Sequence, residues 1–337
     1  MRLYARLLSE ACLCLPRHVA MLYTLLAMSN LLIRQNSVDA AFPDGRKCEY
    51  DISSADSMKG GMISSPNYPN PYPADLKCTY TFRSNSKQRV QIIFRDFDLY
   101  LPPSLAEEER PKCRGEYDHF TAYVELEGRM SEIDTFCGSE TPHQLMSAKT
   151  ILTAEFITHF HPETPEGHLR RGFQFVYKFV DDYGIQAGQR DPRHVCGFIF
   201  NASEASNGSI YSPNYPGYYP RATDCHYEFH GLPDQHIRIH FTYFDVEGYA
   251  NCDNESQSDY VLFSNYRTMD RKNQRFCGLR KPELQESEAN FFRMVFHSNS
   301  IFDGTGFYAH YQFARKTKPA IRQMKEVNKN PNKECEE

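Results

Sequence analysis

The sequence predicts an all-β protein made of two antiparallel β-sandwiches in tandem. Three observations predict it: a string of motifs occurs twice in the same order, apolar residues alternate with a period of two, and eight cysteines fall into two matching groups of four. Alternation at this period marks half-buried strands. Repetition of a whole motif string marks duplicated units.

The repeat is the strongest of the three. Gly61-Met62-Ile63-Ser64-Ser65-Pro66-Asn67-Tyr68-Pro69 returns as Gly208-Ser209-Ile210-Tyr211-Ser212-Pro213-Asn214-Tyr215-Pro216, at an offset of 147 residues. Cys78-Thr79-Tyr80-Thr81-Phe82 and Phe94-Arg95-Asp96-Phe97-Asp98 return at the same offset as Cys225-His226-Tyr227-Glu228-Phe229 and Phe241-Thr242-Tyr243-Phe244-Asp245. Phe136-Cys137-Gly138 then matches Phe276-Cys277-Gly278, and Gly172-Phe173 matches Gly306-Phe307. Within each copy, His236 to Phe241 alternates strictly. Phe173, Phe175, Tyr177 and Phe179 share one strand face, as do Phe307, Ala309, Tyr311 and Phe313. Pro- and Asn-rich clusters separate these runs as turns require, and no amphipathic helix is legible between Cys48 and Phe313.

These units divide the chain. Residues 48–180 form the first domain, 181–195 a short charged linker with two glycines and a proline, and 196–314 the second domain. Residues 315–337 form a Lys-rich tail without periodicity. Residues 1–40 read as a secretory signal: Arg2, Arg6 and Arg17 precede an apolar run from Val19 to Met28, and Val38-Asp39-Ala40 offers small residues for cleavage. An uncleaved signal anchor is the alternative, although the unbroken run is shorter than the roughly 20 residues a membrane span needs.

The chain has 337 residues, 11 cysteines and a net charge of -5. Mild acidity leaves no basic face of the kind nucleic acid requires. The paired groups Cys48, Cys78, Cys113, Cys137 and Cys196, Cys225, Cys252, Cys277 lack the close pairs of zinc sites and indicate structural disulfides in an oxidising compartment. Each group of four leaves three connectivities open. Cys335 stands apart in the tail. Three sequons, at Asn201, Asn207 and Asn254, fall in predicted loops of the second domain and suit an extracellular glycoprotein.

A cysteine, G-x-I-x-S-P-N-Y-P, a second cysteine, an F-x-x-F-D strand, a third cysteine, an Asp-led strand, F-C-G and a closing G-F strand together resemble the CUB domain. The resemblance covers nearly all of the chain between signal and tail, twice. It implies jelly-roll-like sandwiches with disulfides Cys48–Cys78, Cys113–Cys137, Cys196–Cys225 and Cys252–Cys277. Phe244-Asp245-Val246-Glu247-Gly248 and Ser258-Asp259-Tyr260-Val261 look most like the suppressor-of-lurcher group, accessory proteins of ionotropic glutamate receptors.

The resemblance also implies a calcium site. Calcium takes six or more hard oxygen ligands from adjustable loops. In the second domain Glu247, Asp259 and Tyr215 stand where calcium-binding CUB domains place theirs. Asn299 occupies a position where Asp is usual, with Asp303 as a substitute for the missing charge. The first domain keeps Asp118 but has Tyr100 in place of Glu, and no matching Asp in His159-Phe160-His161-Pro162-Glu163, so no calcium is expected there. In the family such loops accept a Lys or Arg of the partner protein. The histidine pairs His159/His161 and His236/His240 read as solvent-facing strand residues.

No H-E-x-x-H, G-x-S-x-G, Walker or G-x-G-x-x-G motif occurs. The expected function is therefore non-enzymatic: an extracellular protein-binding accessory or scaffold for a cell-surface receptor, with a glutamate receptor as the partner the resemblance implies. The alternative is a substrate-recognition or regulatory component of a secreted protease or matrix system. No small-molecule substrate is expected.

Overall fold

The computed structural model describes residues 47–56, 59–102, 113, 115, 117–161, 170–248, 252, 256–267 and 274–315. The expected signal at residues 1–40, residues 316–337 with Cys335, and Asn254 lie outside the described residues. Among those described, every regular element is a strand, and no helix is long and apolar enough to cross a membrane.

Nine strands build the first sandwich: β1 (Lys47–Ser53), β2 (Gly60–Ser64), β3 (Lys77–Arg83), β4 (Arg89–Asp98), β5 (His119–Leu126), β6 (Arg129–Phe136), β7 (Leu145–Met146), β8 (Ile151–Ile157) and β9 (Gly172–Val180). One sheet runs β1-β3-β8-β5-β6 and the other β2-β9-β4-β7. Ten strands build the second: β10 (Gln189–Arg190), β11 (Cys196–Asn201), β12 (Asn207–Tyr211), β13 (Thr223–His230), β14 (Gln235–Asp245), β15 (Tyr260–Ser264), β16 (Arg275–Phe276), β17 (Gln285–Glu286), β18 (Phe291–Ser298) and β19 (Gly306–Arg315). Its sheets run β10-β11-β13-β18-β15-β16 and β12-β19-β14-β17. The copies agree in detail. The bulges Phe94/Asp96 in β4 and Phe241/Tyr243 in β14 fall at the same place in the repeat.

The alternation read from sequence faces inward. Phe173 and Phe175 of β9 pack against Tyr80, Phe120 and Phe156 of the facing sheet, mostly edge to face. Phe307 of β19 meets Tyr227 and Phe296 of its facing sheet, and Phe241 of the neighbouring strand β14, edge to face. Such pairs add about 0.5–1.5 kcal/mol each beyond the area they bury. Two aromatic cores result, without a tryptophan in the chain.

The four disulfides are Cys48–Cys78, Cys113–Cys137, Cys196–Cys225 and Cys252–Cys277, as the resemblance implied. The first bond of each domain joins directly paired residues of parallel neighbours, β1 with β3 and β11 with β13.

The segment 181–195 is no loose linker. Tyr183 and Ile185 are buried in the second core, and β10 extends the second domain's sheet through β11. Around them the S-P-N-Y-P loop of the second domain docks on the first. Asn214 donates its amide nitrogen to the carbonyl of Gln144 (3.0 Å) and receives the side-chain amide of Gln91 (2.8 Å). Tyr218 donates to Asp134 of β6 (3.0 Å), and Arg221 donates to Ser131 of β6 (3.1 Å). The junction thus contains paired polar groups, of which Asn214, Gln91 and Arg221 are buried, and such bonds hold only in one geometry.

The repeated Gly-Phe motif has a steric cause. Gly306 sits at φ 80°, and a Cβ there would lie 1.8 Å from Ser212 Oγ; Gly172 has φ 90° and the same relation to Ser65, at 1.9 Å. The serines need that approach, because Ser212 Oγ accepts the Phe307 N–H and Ser65 Oγ accepts that of Phe173, each at 3.0 Å. Gly306→Ala is expected to cost about 2 kcal/mol or more, read by urea unfolding of the full chain. An unchanged midpoint would show that the Ser212 contact is dispensable.

Candidate functional site

Each sandwich carries one buried carboxylate at the head of a central strand. In the second domain it is Asp259, just before β15, with no exposed surface; in the first it is Asp118, just before β5, 1 % exposed. A buried carboxylate is costly unless it is hydrogen-bonded and charge-compensated. The two domains share the hydrogen bonds and differ in the compensation.

In both, a tyrosine of the turn after S-P-N-Y-P supplies the first bond. Tyr219 donates its hydroxyl to Asp259 (2.6 Å) and accepts the N–H of Glu247 (3.0 Å). Tyr72 does the same between Asp118 (2.7 Å) and the N–H of Tyr100 (2.9 Å). The second bond comes from the backbone after the penultimate strand: Asn299 N–H to Asp259 (2.6 Å), and His159 N–H to Asp118 (2.8 Å).

In the second domain a further carboxylate, Glu247, closes the ring. It accepts from the Asp259 N–H and from the Asn299 side-chain amide, both at a long 3.3 Å. The same amide donates to the Gln257 carbonyl (2.6 Å). Two carboxylates, a carbonyl and a side-chain amide from two loops, β14–β15 and β18–β19, therefore point at one place, and the described donors among them are neutral. Burial is the main cause that pushes Asp259 up to about 7, and the neighbouring Glu247 adds to it.

The donor set fits a hard divalent cation. Glu247, Asp259 and the Gln257 carbonyl are oxygen ligands. Asn299 becomes one when its amide turns over, exchanging the nitrogen that now faces Glu247 for the oxygen that accepts the Ile301 N–H (2.6 Å). Only two negative charges are in the set.

Two of the expected residues stand elsewhere. Tyr215 is not the tyrosine beside the carboxylates. Its ring packs with Tyr211, Tyr243 and Tyr308 in a half-exposed cluster, at 5.5 Å from Tyr308. Tyr219, four residues on, takes the inner position. Asp303 does not restore the missing charge: it pairs with buried Arg221 at 2.9 Å, the same arginine that reaches Ser131 of the first domain. Asp303 is thereby part of the domain junction, one turn from the acidic site.

In the first domain a side chain fills the place. His161 Nε2 lies 2.9 Å from Asp118, and Tyr100, at the position of Glu247, lies against the His161 ring at 4.1 Å between centroids. His159 also approaches Asp118, at 3.8 Å. The two histidines are therefore not solvent-facing strand residues: β8 ends at Ile157, and the chain beyond it turns them toward the buried carboxylate. His240 of β14 is exposed, as expected, whereas His236 is half-buried with its Nδ1 enclosed. Of the described sequons, Asn207 is exposed at the start of β12, and Asn201 is half-buried at the end of β11, so both sit at strand ends rather than within loops.

Two sandwiches of this topology, each with two disulfides and a buried carboxylate at the head of an inner strand, define a tandem pair of duplicated all-β modules. The CUB domain family model matches residues 48–177 and 196–311, and the chain belongs to the CUB family. CUB domains are non-catalytic, extracellular protein-interaction modules. The chain is 25 % identical over 305 residues to the dorsal-ventral patterning protein tolloid of Drosophila melanogaster, covering 79 % of this chain and 26 % of tolloid. It is 28 % identical over 256 residues to procollagen C-endopeptidase enhancer 1 of Homo sapiens, covering 75 % of this chain and 51 % of that protein. Among solved structures, the CUB1-EGF-CUB2 domains of rat MASP-1 align over 79 % of this chain and 100 % of theirs, at 22 % identity and a TM-score of 0.30. The chain thus spans from about a quarter to about half of these curated relatives.

Two outcomes follow from the paired sites. In cation-free protein, Asp259 holds its proton more tightly folded than unfolded. Its contribution to stability is therefore full below the ordinary carboxylate range and is lost as pH rises through about 7. Asp259→Asn should flatten that part of the pH–stability curve, measured by urea unfolding in chelator. His161→Ala should cost about 1–3 kcal/mol by removing one of the two side-chain hydrogen-bond partners of buried Asp118, Tyr72 remaining as the other, and His161→Gln should restore part of the loss.

Proposed function

We propose that the chain is a non-enzymatic extracellular recognition protein whose second domain binds calcium through Glu247, Asp259, Asn299 and the Gln257 carbonyl. The calcium-ordered acidic edge then receives a Lys or Arg of a protein partner. The observation that carries this reading is the convergence of two carboxylates, Glu247 and Asp259, around Asn299 in the second domain, where the first domain puts His161. A charged partner side chain meeting a fixed acidic site makes a short, charge-assisted bond, stronger than a neutral one.

Calcium titration calorimetry on the full chain tests the first part. Binding in wild type and none in Asp259→Ala is the expected result, and Asn299→Asp should tighten binding at least tenfold by adding a third charge. Equal heats in wild type and Asp259→Ala would overturn the assignment.

For the partner, the likeness to tolloid and to the procollagen C-endopeptidase enhancer supports a regulatory or substrate-recognition part in a secreted protease system. That reading predicts that the added chain changes the cleavage rate of a secreted substrate by a tolloid-type protease, in a calcium-dependent way. The motifs around Glu247 and Asp259 favour a second reading, an accessory of an ionotropic glutamate receptor. It predicts instead that the chain co-purifies with the receptor and leaves cleavage unchanged.

A further inference from the structure

Arg89 opens β4 at the domain junction and is only 9 % exposed. A buried guanidinium normally has a carboxylate partner. Among the described residues Arg89 has none. One terminal nitrogen donates to the Gln88 carbonyl (3.0 Å), the guanidinium carbon lies 4.9 Å from the centre of the Tyr183 ring, and Nε is enclosed without an acceptor.

Arg89 lines a cleft of about 400 Å³ between the two sandwiches, whose second-domain wall carries His194 and His226. These two imidazoles stack face to face, 3.8 Å apart and 19° from parallel. His226 Nδ1 is also enclosed without a partner. Burial holds His226 below the usual imidazole range, with His194 adding to the effect. Arg89 and His226, each with one enclosed nitrogen that has no partner, thus line one cleft from the two domains.

The other charges around the cleft are already engaged. Arg193 bridges Asp191 (2.7 Å) and Glu228 (2.8 Å), so the guanidinium takes the place that a metal would need among Asp191, His194 and Glu228. Asp224, on the cleft wall, is paired with His297 at 2.6 Å. The groups that face His226 are His194, Asp224, Glu228 and Arg293.

We propose that this cleft binds a tetrahedral oxyanion, a sulfate or phosphate group, between Arg89 of the first sandwich and the His194–His226 pair of the second. The source is either the free ion or a sulfate ester carried on an extracellular glycan. A guanidinium from one domain and imidazoles from the other lining one cleft suit a tetrahedral anion, whose oxygens point in several directions. The anion gives Arg89 the charge partner it lacks and allows one imidazole of the stack to take up a proton. Binding therefore strengthens on acidification through the histidine range.

The test is titration calorimetry of the full chain with inorganic sulfate, at constant ionic strength set with chloride, at pH 6 and pH 8. Wild type should bind saturably and at least several-fold more tightly at pH 6. Arg89→Gln and His226→Asn should each weaken binding at least tenfold. If Arg89→Gln does not fold, His226→Asn carries the test from the other wall. A heparin-derived tetrasaccharide that binds more tightly than sulfate, and loses that binding in the same variants, identifies the glycan as the source. Equal affinity identifies the free ion. Non-saturable heats, or the same affinity in wild type and both variants, would overturn the proposal.

Discussion

The structure depends on a carboxylate buried at the head of a strand. Asp118 and Asp259 sit where two sheets meet several loops, and each is held by a tyrosine hydroxyl and a backbone N–H from opposite sides. A charge in that place ties the turn after S-P-N-Y-P to the central strand and to the end of the strand beside it, because each loop must deliver its donor. Removing the charge would release all three. Leaving it uncompensated would penalise the fold. The duplicated domains differ in what stands beside that carboxylate: an imidazole, His161, in the first and a second carboxylate, Glu247, in the second.

The shared framework was legible in the sequence because its causes are local or repeated. Strand faces follow from alternation, and Gly306 and Gly172 recur because a serine oxygen occupies the space of a Cβ. Asp118 and Asp259 stood out as the residues that open matched strands. What fills the sites was less legible. Tyr215 and Tyr219 both recur at the repeat offset, as Tyr68 and Tyr72, so repetition could not separate them. The choice is made by the turn at Asn214, whose left-handed backbone sends Tyr215 outward and returns Tyr219 to the core. Asp303 was misplaced because its partner, Arg221, is distant in sequence. The segment 181–195 looked like a linker from its charges. Yet Tyr183 and Ile185, two residues apart, already carry the period of a buried extended segment.

The acidic site and the junction are built from one loop. Between Asn214 and Arg221 the chain contributes Asn214 and Tyr218 to the first domain, Tyr219 to Asp259, and Arg221 to both Asp303 and Ser131. Any shift of this loop is felt at both places. The cleft lined by Arg89 and the stacked histidines belongs to the same junction, so a ligand there would also find its contacts divided between two domains.

The paired polar groups at that junction turn two modules into a ruler. A flexible tether would let each sandwich search for its own contact, and avidity would vary smoothly with tether length. Here Asn214, Gln91 and Gln144 hold one spacing. A partner whose two contact points match that spacing gains the full benefit of the second contact, and one that mismatches gains none. Selection among extracellular partners then rests on the distance between their epitopes as well as on the chemistry of either one.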